Sequence, residues 1–205
     1  MGRPRKDSAE QPVSERLERA MIRRMLDEPV AAITVRALIA DAHCNRSTFY
    51  YHFNDVDEIA DAAVERAIPY ELPLAIASMM VAYTDASPSP QRFDELLHDH
   101  ATVVPEQVDT LCLLLNGPNS ALAERKVRDA LSEVYPSIVA ALPGDDGRDE
   151  LALRVIFTYA SSAILGLMAY RGSIGLGVPV ERMIGAVAPE VPQALIACIR
   201  RAMRG

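Results

Sequence analysis

Apolar residues recur every three or four positions along most of the chain, which is the spacing of one face of an α-helix. The first such segment runs from Ser14, a good helix N-cap, to about Asp27. Its apolar face consists of Leu17, Met21, Ile22, Met25 and Leu26. Three arginines lie off that face, where solvent or phosphate can reach them: Arg16, Arg19 and Arg23. No segment alternates apolar and polar residues as a half-buried strand does, so the pattern predicts an all-α protein.

The stretch 34–53 is predicted to form two short helices joined by a tight turn. Thr34 and Asn45 are favourable N-caps for helices over about 35–42 and 46–53. The turn between them is short, so the two helices are expected to pack against each other.

The second of these helices has a very polar surface for its length. Phe49 and Phe53 are four residues apart, so they share a face and are expected to anchor the helix to the core. The other faces carry six hydrogen-bonding side chains: Arg46, Ser47, Thr48, Tyr50, Tyr51 and His52. A helix with this surface fits the major groove of DNA, with its N-terminal residues nearest the bases.

The rest of the chain is also predicted to be helical. A fourth helix begins at Asp55, which forms a capping-box-like pair with Glu58, and ends near Ala67. Turn residues separate the later apolar segments, and the last of them contains two prolines that interrupt it. The predicted later helices are 74–83, 93–104, 108–115, 119–142, 148–171 and 180–203, with Asn119 as an N-cap.

The net charge of −7 does not by itself suggest a nucleic-acid binder, but the charge is divided unevenly. Residues 1–53 carry nine Arg and Lys against seven Asp and Glu, a balance of +2, whereas the remainder carries 12 against 21, a balance of −9. A positive end on an acidic body can still bind DNA, because binding follows the local face.

Cysteines and apolar runs indicate a cytoplasmic protein. The three cysteines are far apart and form no CxxC pair, so neither a disulfide framework nor a zinc site is expected. The longest apolar run, 155–170, is shorter than the ~20 residues of a membrane-spanning helix. We interpret that run as buried protein and expect no membrane association.

The motifs in 13–67 resemble the DNA-binding domain of the TetR family of bacterial transcriptional regulators. That family has a Thr opening the first helix of the pair, an Ala-Gly-Val-Ser turn and a Thr/Phe-Tyr-x-His-Phe ending. The matching residues here are Thr34, Ile39-Ala40, Ala42, Thr48-Phe49-Tyr50, His52-Phe53 and Asp57-Glu58-Ile59. Two positions depart from the pattern. His43 replaces the turn glycine, whose backbone shape other residues adopt at a cost, and Val56 replaces a lysine.

The resemblance implies a homodimeric repressor, released from a palindromic double-stranded DNA operator by a small-molecule effector. It implies a DNA-binding domain at 13–67 with its helix-turn-helix at 34–53, and a helical regulatory and dimerisation domain at 68–205. The candidate phosphate contacts are Thr34, Arg36, Tyr50, Tyr51 and His52, and those near base edges are Arg46, Ser47 and Thr48. Residues 1–12 form a basic arm in which Arg5 and Lys6 either follow the minor groove or belong to a solvated terminus.

In the body, an effector pocket for an apolar or aromatic molecule and a dimer face have candidate residues. The pocket candidates are Met79, Tyr83, Leu113, Tyr135 and Tyr159. The dimer-face candidates are Ala160, Ala163, Gly166, Leu195 and Ile199. Residue for residue, an ordinary core is favoured over a pocket for the first set. For the second set a dimer face is favoured over an intrachain core, because operator readers with this motif bind palindromes as pairs.

Catalytic motifs are not found in the sequence. It contains no phosphate-binding loop, no G-x-S-x-G and no HExxH, so no enzyme activity, metal or cofactor is expected. His98 and His100 lie among acidic residues, where a solvated helix face is favoured over a metal site. The alternative to a regulator is a helical module that binds a small molecule or a protein and uses the helix pair only as scaffold.

Overall fold

The computed structural model of the protein describes residues 12–69, 105–141, 148–179, 182–183, 197–198 and 201–202. Within these ranges the chain forms helices and turns and no strand, so the all-helical expectation is confirmed there. The helices are α1 (Val13–Met25), α2 (Val35–Asp41), α3 (Arg46–His52), α4 (Val56–Ala67), α5 (Pro105–Asn116), α6 (Ser120–Ala141) and α7 (Glu150–Ile174). A short 3-10 helix, Val30–Ala32, lies between α1 and α2.

Helix α1 begins one residue earlier than predicted. Pro12 occupies the N-cap position with no side-chain cap, and its carbonyl accepts the first helical hydrogen bond, from the N–H of Arg16 at 3.1 Å. Ser14 therefore lies inside the first turn, and the prediction that it caps the helix is wrong. The helix ends at Met25, before the predicted Asp27, since the N–H of Asp27 turns back to the carbonyl of Arg24.

The caps of α2 and α3 are confirmed. Thr34 Oγ1 accepts a hydrogen bond from the N–H of Ala37 at 3.3 Å, and Asn45 Oδ1 accepts one from the N–H of Thr48 at 2.8 Å. Between the helices, His43 has a φ of +49°, the left-handed conformation expected where the TetR pattern has glycine. A residue with a Cβ adopts this conformation at a cost of about 1 kcal/mol.

Helix α4 is capped as predicted, but the return hydrogen bond to Glu58 comes from the residue before the cap. Asp55 Oδ1 accepts from the N–H of Glu58 at 2.8 Å. Glu58 Oε2 in turn accepts from the N–H of Asn54 at 2.6 Å, rather than from that of Asp55. The helix ends at Ala67, the predicted residue.

The later helices differ from prediction mainly at their ends. Helix α5 begins at Pro105, three residues before its predicted start, and α7 continues through Gly172 to Ile174, three residues beyond its predicted end. Asp149 caps α7 by accepting from the N–H of Ala152 at 2.9 Å, and Gly175 ends it with a φ of +84°.

Two groups of helices share one hydrophobic core. Helix α1 packs against α2, α3 and α4, while α5 packs against α7 and α6. Helix α4 contacts both groups, because it also packs against α5 and α6. The fully buried large residues from both groups are Leu17, Met21, Met25, Leu38, Phe49, Ile59, Val64, Leu111, Leu114, Val127 and Leu131.

Asn119 makes a second connection between the groups. It lies at the predicted N-cap position of α6, where its carbonyl accepts the N–H of Ala123 at 3.1 Å, but its side chain bonds to the segment after α1 instead of capping α6. Its Nδ2 donates to the carbonyls of Met25 at 2.8 Å and Glu28 at 3.0 Å, and its Oδ1 accepts from the N–H of Val30 at 3.0 Å. The end of α1 leaves these backbone groups without helical partners, and Asn119 supplies them.

Several predictions fall on residues outside the described ranges. These are the helices 74–83 and 93–104, most of the helix 180–203, the basic arm with Arg5 and Lys6, the histidines His98 and His100, the pocket candidates Met79 and Tyr83, and the dimer-face candidates Leu195 and Ile199.

Candidate nucleic-acid interface

Helix α3 is held by its aromatic residues. Phe49 is fully buried and Phe53 nearly so, with their ring centroids 6.1 Å apart, which confirms the predicted anchor. The ring of Tyr50 meets Phe49 edge to face at 5.3 Å and remains 47% exposed. Burying one side of a seven-residue helix fixes the direction of its other side.

The opposite surface of α3 is polar and open to solvent. Arg46, Ser47, Tyr50 and Tyr51 are exposed, while Thr48 and His52 are half-buried. Tyr51 is 85% exposed, so both its apolar ring and its hydroxyl are open to solvent. The six side chains of α3 that are predicted to contact DNA therefore form one surface, which we call the α3 polar face.

Asn45 organises the N-terminal end of this face. Besides capping the helix, its Oδ1 accepts the hydroxyl proton of Ser47 at 2.6 Å and that of Thr48 at 2.9 Å. Both hydroxyl oxygens are thereby oriented as acceptors toward solvent. Base amino groups in the major groove are donors, so this arrangement is suited to adenine or cytosine edges.

Arg46 extends along the same helix. Its Nη2 donates to the hydroxyl of Tyr50 at 3.4 Å, and its guanidinium lies 5.5 Å from the centre of the Tyr50 ring. A guanidinium has five N–H donors, so this contact positions the group and leaves donors for a base or phosphate.

Helix α2 contributes two further candidates. Thr34 and Arg36 are exposed in its first turn. Because Thr34 Oγ1 accepts from the N–H of Ala37, its hydroxyl proton remains able to donate to a phosphate oxygen.

One arginine of α1 has a different role from the predicted one. Arg16 was expected to be available to solvent or phosphate, but its Nε donates to the carbonyl of Ala42 at 3.2 Å. Arg24 also joins α1 to α2, through Asp41 at 2.6 Å. These contacts explain how α2, which buries little of its own surface, is held in place.

Beyond α3 the surface becomes acidic. Val56, where the TetR pattern has a lysine, is half-buried and packs against the core, so it offers no cation. Asp55, Asp57 and Glu58 line a cleft of about 770 Å³ between α4 and the start of α6. These carboxylates would repel a polyanion that extends past the start of α4. The repulsion would therefore favour one orientation of a polyanion on the α3 polar face.

The body candidates lie in different environments. Tyr135 is buried and lines a cavity of about 200 Å³ between α6 and α7. Neither Leu113, half-buried in α5, nor the exposed Tyr159 lines that cavity. Ala160 is half-buried, while Ala163 and Gly166 are exposed.

An apolar stripe runs along the exposed side of α7. Its members are spaced three or four residues apart, and all are exposed: Leu151, Val155, Tyr159, Ala163, Gly166, Tyr170 and Ile174. Among the helices in the described part of the chain, α7 is the one long and apolar enough to cross a membrane by length and composition. Core helices of other proteins meet the same criterion, and α7 buries its opposite side against α5 and α6.

Comparison of the chain with models of known protein families, and with curated proteins, found no match.

Proposed function

We propose that this protein is a TetR-like transcriptional regulator, a homodimer that binds a palindromic operator and is released from it by a small-molecule effector. The observation that carries the proposal is the α3 polar face. It presents Arg46, Ser47 and Thr48 at the start of a short exposed helix whose other side is fixed by Phe49 and Phe53. The motif resemblance of residues 13–67 supports the same assignment.

In this proposal the polar face enters the major groove. Arg46 donates to a guanine, while the oriented hydroxyls of Ser47 and Thr48 accept from neighbouring base amino groups. Thr34, Arg36, Tyr50, Tyr51 and His52 contact phosphates and fix the register of the helix on the duplex.

Dimerisation is supported by the apolar stripe on α7. Contiguous exposed apolar surface marks an interface more often than it marks free surface. A second copy of α7 placed on the stripe buries Val155 and Tyr159, with close approach at Ala163 and Gly166. Two polar faces held at a fixed distance then match two half-sites of a palindrome.

Arg46→Ala is expected to weaken binding to the selected operator by about 1–3 kcal/mol and to relax base preference at one position in each half-site. Binding-site selection from randomised duplexes, followed by fluorescence anisotropy at several salt concentrations, measures both effects. Arg182→Ala, which removes an exposed arginine beyond α7, is the matched control and should leave the selected motif unchanged.

Two results of this experiment contradict the proposal. If Arg46→Ala selects the same DNA motif as wild type, Arg46 does not recognise a guanine. Wild-type protein that binds selected and random duplexes equally, or whose affinity hardly changes with salt, is not a sequence-specific regulator and favours the ligand- or protein-binding module.

Val155→Arg is expected to convert the dimer to a monomer and to lower operator affinity at least tenfold, because it places a charge within the apolar stripe. Sedimentation velocity gives the mass, and far-UV circular dichroism checks the helix content. Ala140→Arg, at an exposed position on α6, is the control and should remain dimeric. A monomeric wild-type protein, or one that floats with lipid vesicles, contradicts the proposed dimer.

A further inference from the structure

The cavity between α6 and α7 takes no part in the proposed DNA contacts. It encloses about 200 Å³, less than the ~300–1,000 Å³ of pockets for drug-sized ligands, so it suits a single ring or a short chain. Its lining combines two arginines, three small hydroxyl side chains and an apolar floor: Arg128, Leu131, Ser132, Tyr135, Arg154, Phe157, Thr158 and Ser161.

Tyr135 leaves a buried polar group without a partner. The residue is 7% exposed, and its hydroxyl makes no hydrogen bond to any residue in the part of the chain that the structure describes. Burial raises the pKa of this phenol, although Arg154 nearby acts against that rise, so the group stays a neutral O–H donor. Buried hydroxyls in folded proteins are almost always paired, and an unpaired one that lines a cavity indicates a missing acceptor.

Arg154 lies directly over this tyrosine, with its guanidinium 4.8 Å from the ring centre. It forms an ion pair with Glu150, at 3.2 Å on the exposed side of α7. Arg128 similarly donates to Ser162 at 3.1 Å and lies 3.7 Å from Glu124. Exposed pairs of this kind are weak, and each guanidinium keeps further donors for a bound anion.

The three small hydroxyl groups do not compete for such an anion. Ser132, Thr158 and Ser161 each donate to a helix carbonyl at 2.8 Å. Their protons are engaged, so the donors available inside the cavity belong to the two arginines and Tyr135. The rings of Tyr135 and Phe157, with centroids 5.0 Å apart, form the apolar floor beneath them.

We propose that this cavity binds a small organic carboxylate whose ring or short apolar body lies against Tyr135 and Phe157. The carboxylate accepts hydrogen bonds from the guanidinium of Arg154 and the hydroxyl of Tyr135, with Arg128 at the other side. Two donors on a planar carboxylate match the geometry that arginine favours.

The position of Arg128 also suits an effector site. One turn earlier on α6, Arg125 and Lys126 contact Asp61 of α4 at 3.1 and 2.9 Å, and Lys126 contacts Glu65 at 2.6 Å. A ligand that moves α6 therefore acts on the helix that follows α3. This regulatory role rests on the proposed function, whereas carboxylate binding does not.

Isothermal titration calorimetry on the full chain without DNA tests the site, with benzoate, phenylacetate and hexanoate as probes. At least one is expected to bind, at least tenfold more tightly than its neutral amide and than inorganic phosphate. Arg154→Gln should weaken binding at least tenfold, and Tyr135→Phe about threefold or more. Arg182→Gln, an exposed arginine away from the cavity, is the control. Tyr135→Phe should keep or raise Tm without ligand, because it removes an unpaired hydroxyl.

The outcomes separate the site from the regulator. The site is refuted if no carboxylate binds, if amide and acid bind equally, or if Arg154→Gln binds like wild type. A carboxylate that binds but leaves the operator affinity unchanged refutes the effector role. If the protein binds a carboxylate but selects no specific DNA sequence, the proposed function is refuted and the carboxylate site is established.

Discussion

Gly172→Ala is expected to lower the free energy of unfolding by about 3 kcal/mol, because the added methyl group meets the backbone of another helix. A Cβ at Gly172 would lie 2.1 Å from the carbonyl oxygen of Cys112 and 2.8 Å from its carbonyl carbon. Both atoms belong to the backbone of α5, so no side-chain rotation relieves the clash and α5 must move away from α7. Urea unfolding followed by circular dichroism measures the loss.

Gly177→Ala is the matched control, at an exposed glycine beyond α7 that lies outside the apolar stripe. Among the described residues nothing lies within 4 Å of a Cβ at that position, so the substitution should change the free energy of unfolding by less than about 0.5 kcal/mol. If Gly172→Ala loses less than about 1 kcal/mol, the close approach of the two helices is not rigid.

Arg171 explains why the helices are fixed so closely at this point. Its side chain is 6% exposed and donates to Asp109 at 2.6 Å, to Cys112 Sγ at 3.6 Å and to the carbonyl of Val178 at 2.7 Å. A buried guanidinium is tolerated only when its donors are satisfied, so any shift of α5 that accommodates a methyl group also breaks this network.

The parts of the fold that could be predicted from sequence are those determined by neighbouring residues. Thr34, Asn45 and Asp55 cap their helices because the bond partner is three residues away, and the spacing alone reveals it. The strained conformation of His43 was expected for a different reason, because the TetR pattern that residues 13–67 resemble has a glycine at this position. The exposed face of α3 followed from the four-residue spacing of Phe49 and Phe53.

The parts that could not be predicted depend on residues far apart in the chain. Gly172 was interpreted as the end of a helix, since a glycine after a long apolar helix usually has that role. Its actual role follows from a contact with Cys112, 60 positions earlier, which local patterns do not record. Arg16 was similarly assigned to solvent, because its acceptor on Ala42 is 26 residues away.

In the candidate interface, sequence identified the side chains but not their hydrogen bonds. Ser47 and Thr48 were named as candidates near base edges, yet their hydroxyl protons are held by Asn45. That engagement could have been inferred, since Ser and Thr two and three residues after an Asn cap often share it. Because Asn45 engages these protons, the hydroxyl oxygens of Ser47 and Thr48 can only accept from bases. Their expected partners are therefore base donors and not base acceptors.

Asn119→Ala is expected to destabilise the protein by about 3 kcal/mol, because it leaves three backbone groups without their partner. The carbonyl of Met25 is buried, so water cannot replace its lost hydrogen bond. The carbonyl of Glu28 and the N–H of Val30 are partly accessible to water. Thermal and urea unfolding measure the loss. The substitution also removes a connection between the start of α6 and the end of α1, so the two groups of helices should unfold less cooperatively.

Asn119→Asp decides between the two roles that this residue can have. As a helix N-cap, Asp is as good as Asn, so the protein would keep its stability. As a donor to two carbonyls, Asp fails, because a carboxylate at that position faces the oxygens of Met25 and Glu28 with no N–H to offer. The structure therefore predicts that Asp is at least as damaging as Ala, whereas Asn116→Ala, at an exposed position on α5, should change stability by less than about 0.5 kcal/mol. An Asp variant as stable as wild type would mean that Asn119 acts only as a local cap of α6. The ion pairs of α4 with α6, through Asp61 and Glu65, would then be the principal connection between the α3 polar face and the body.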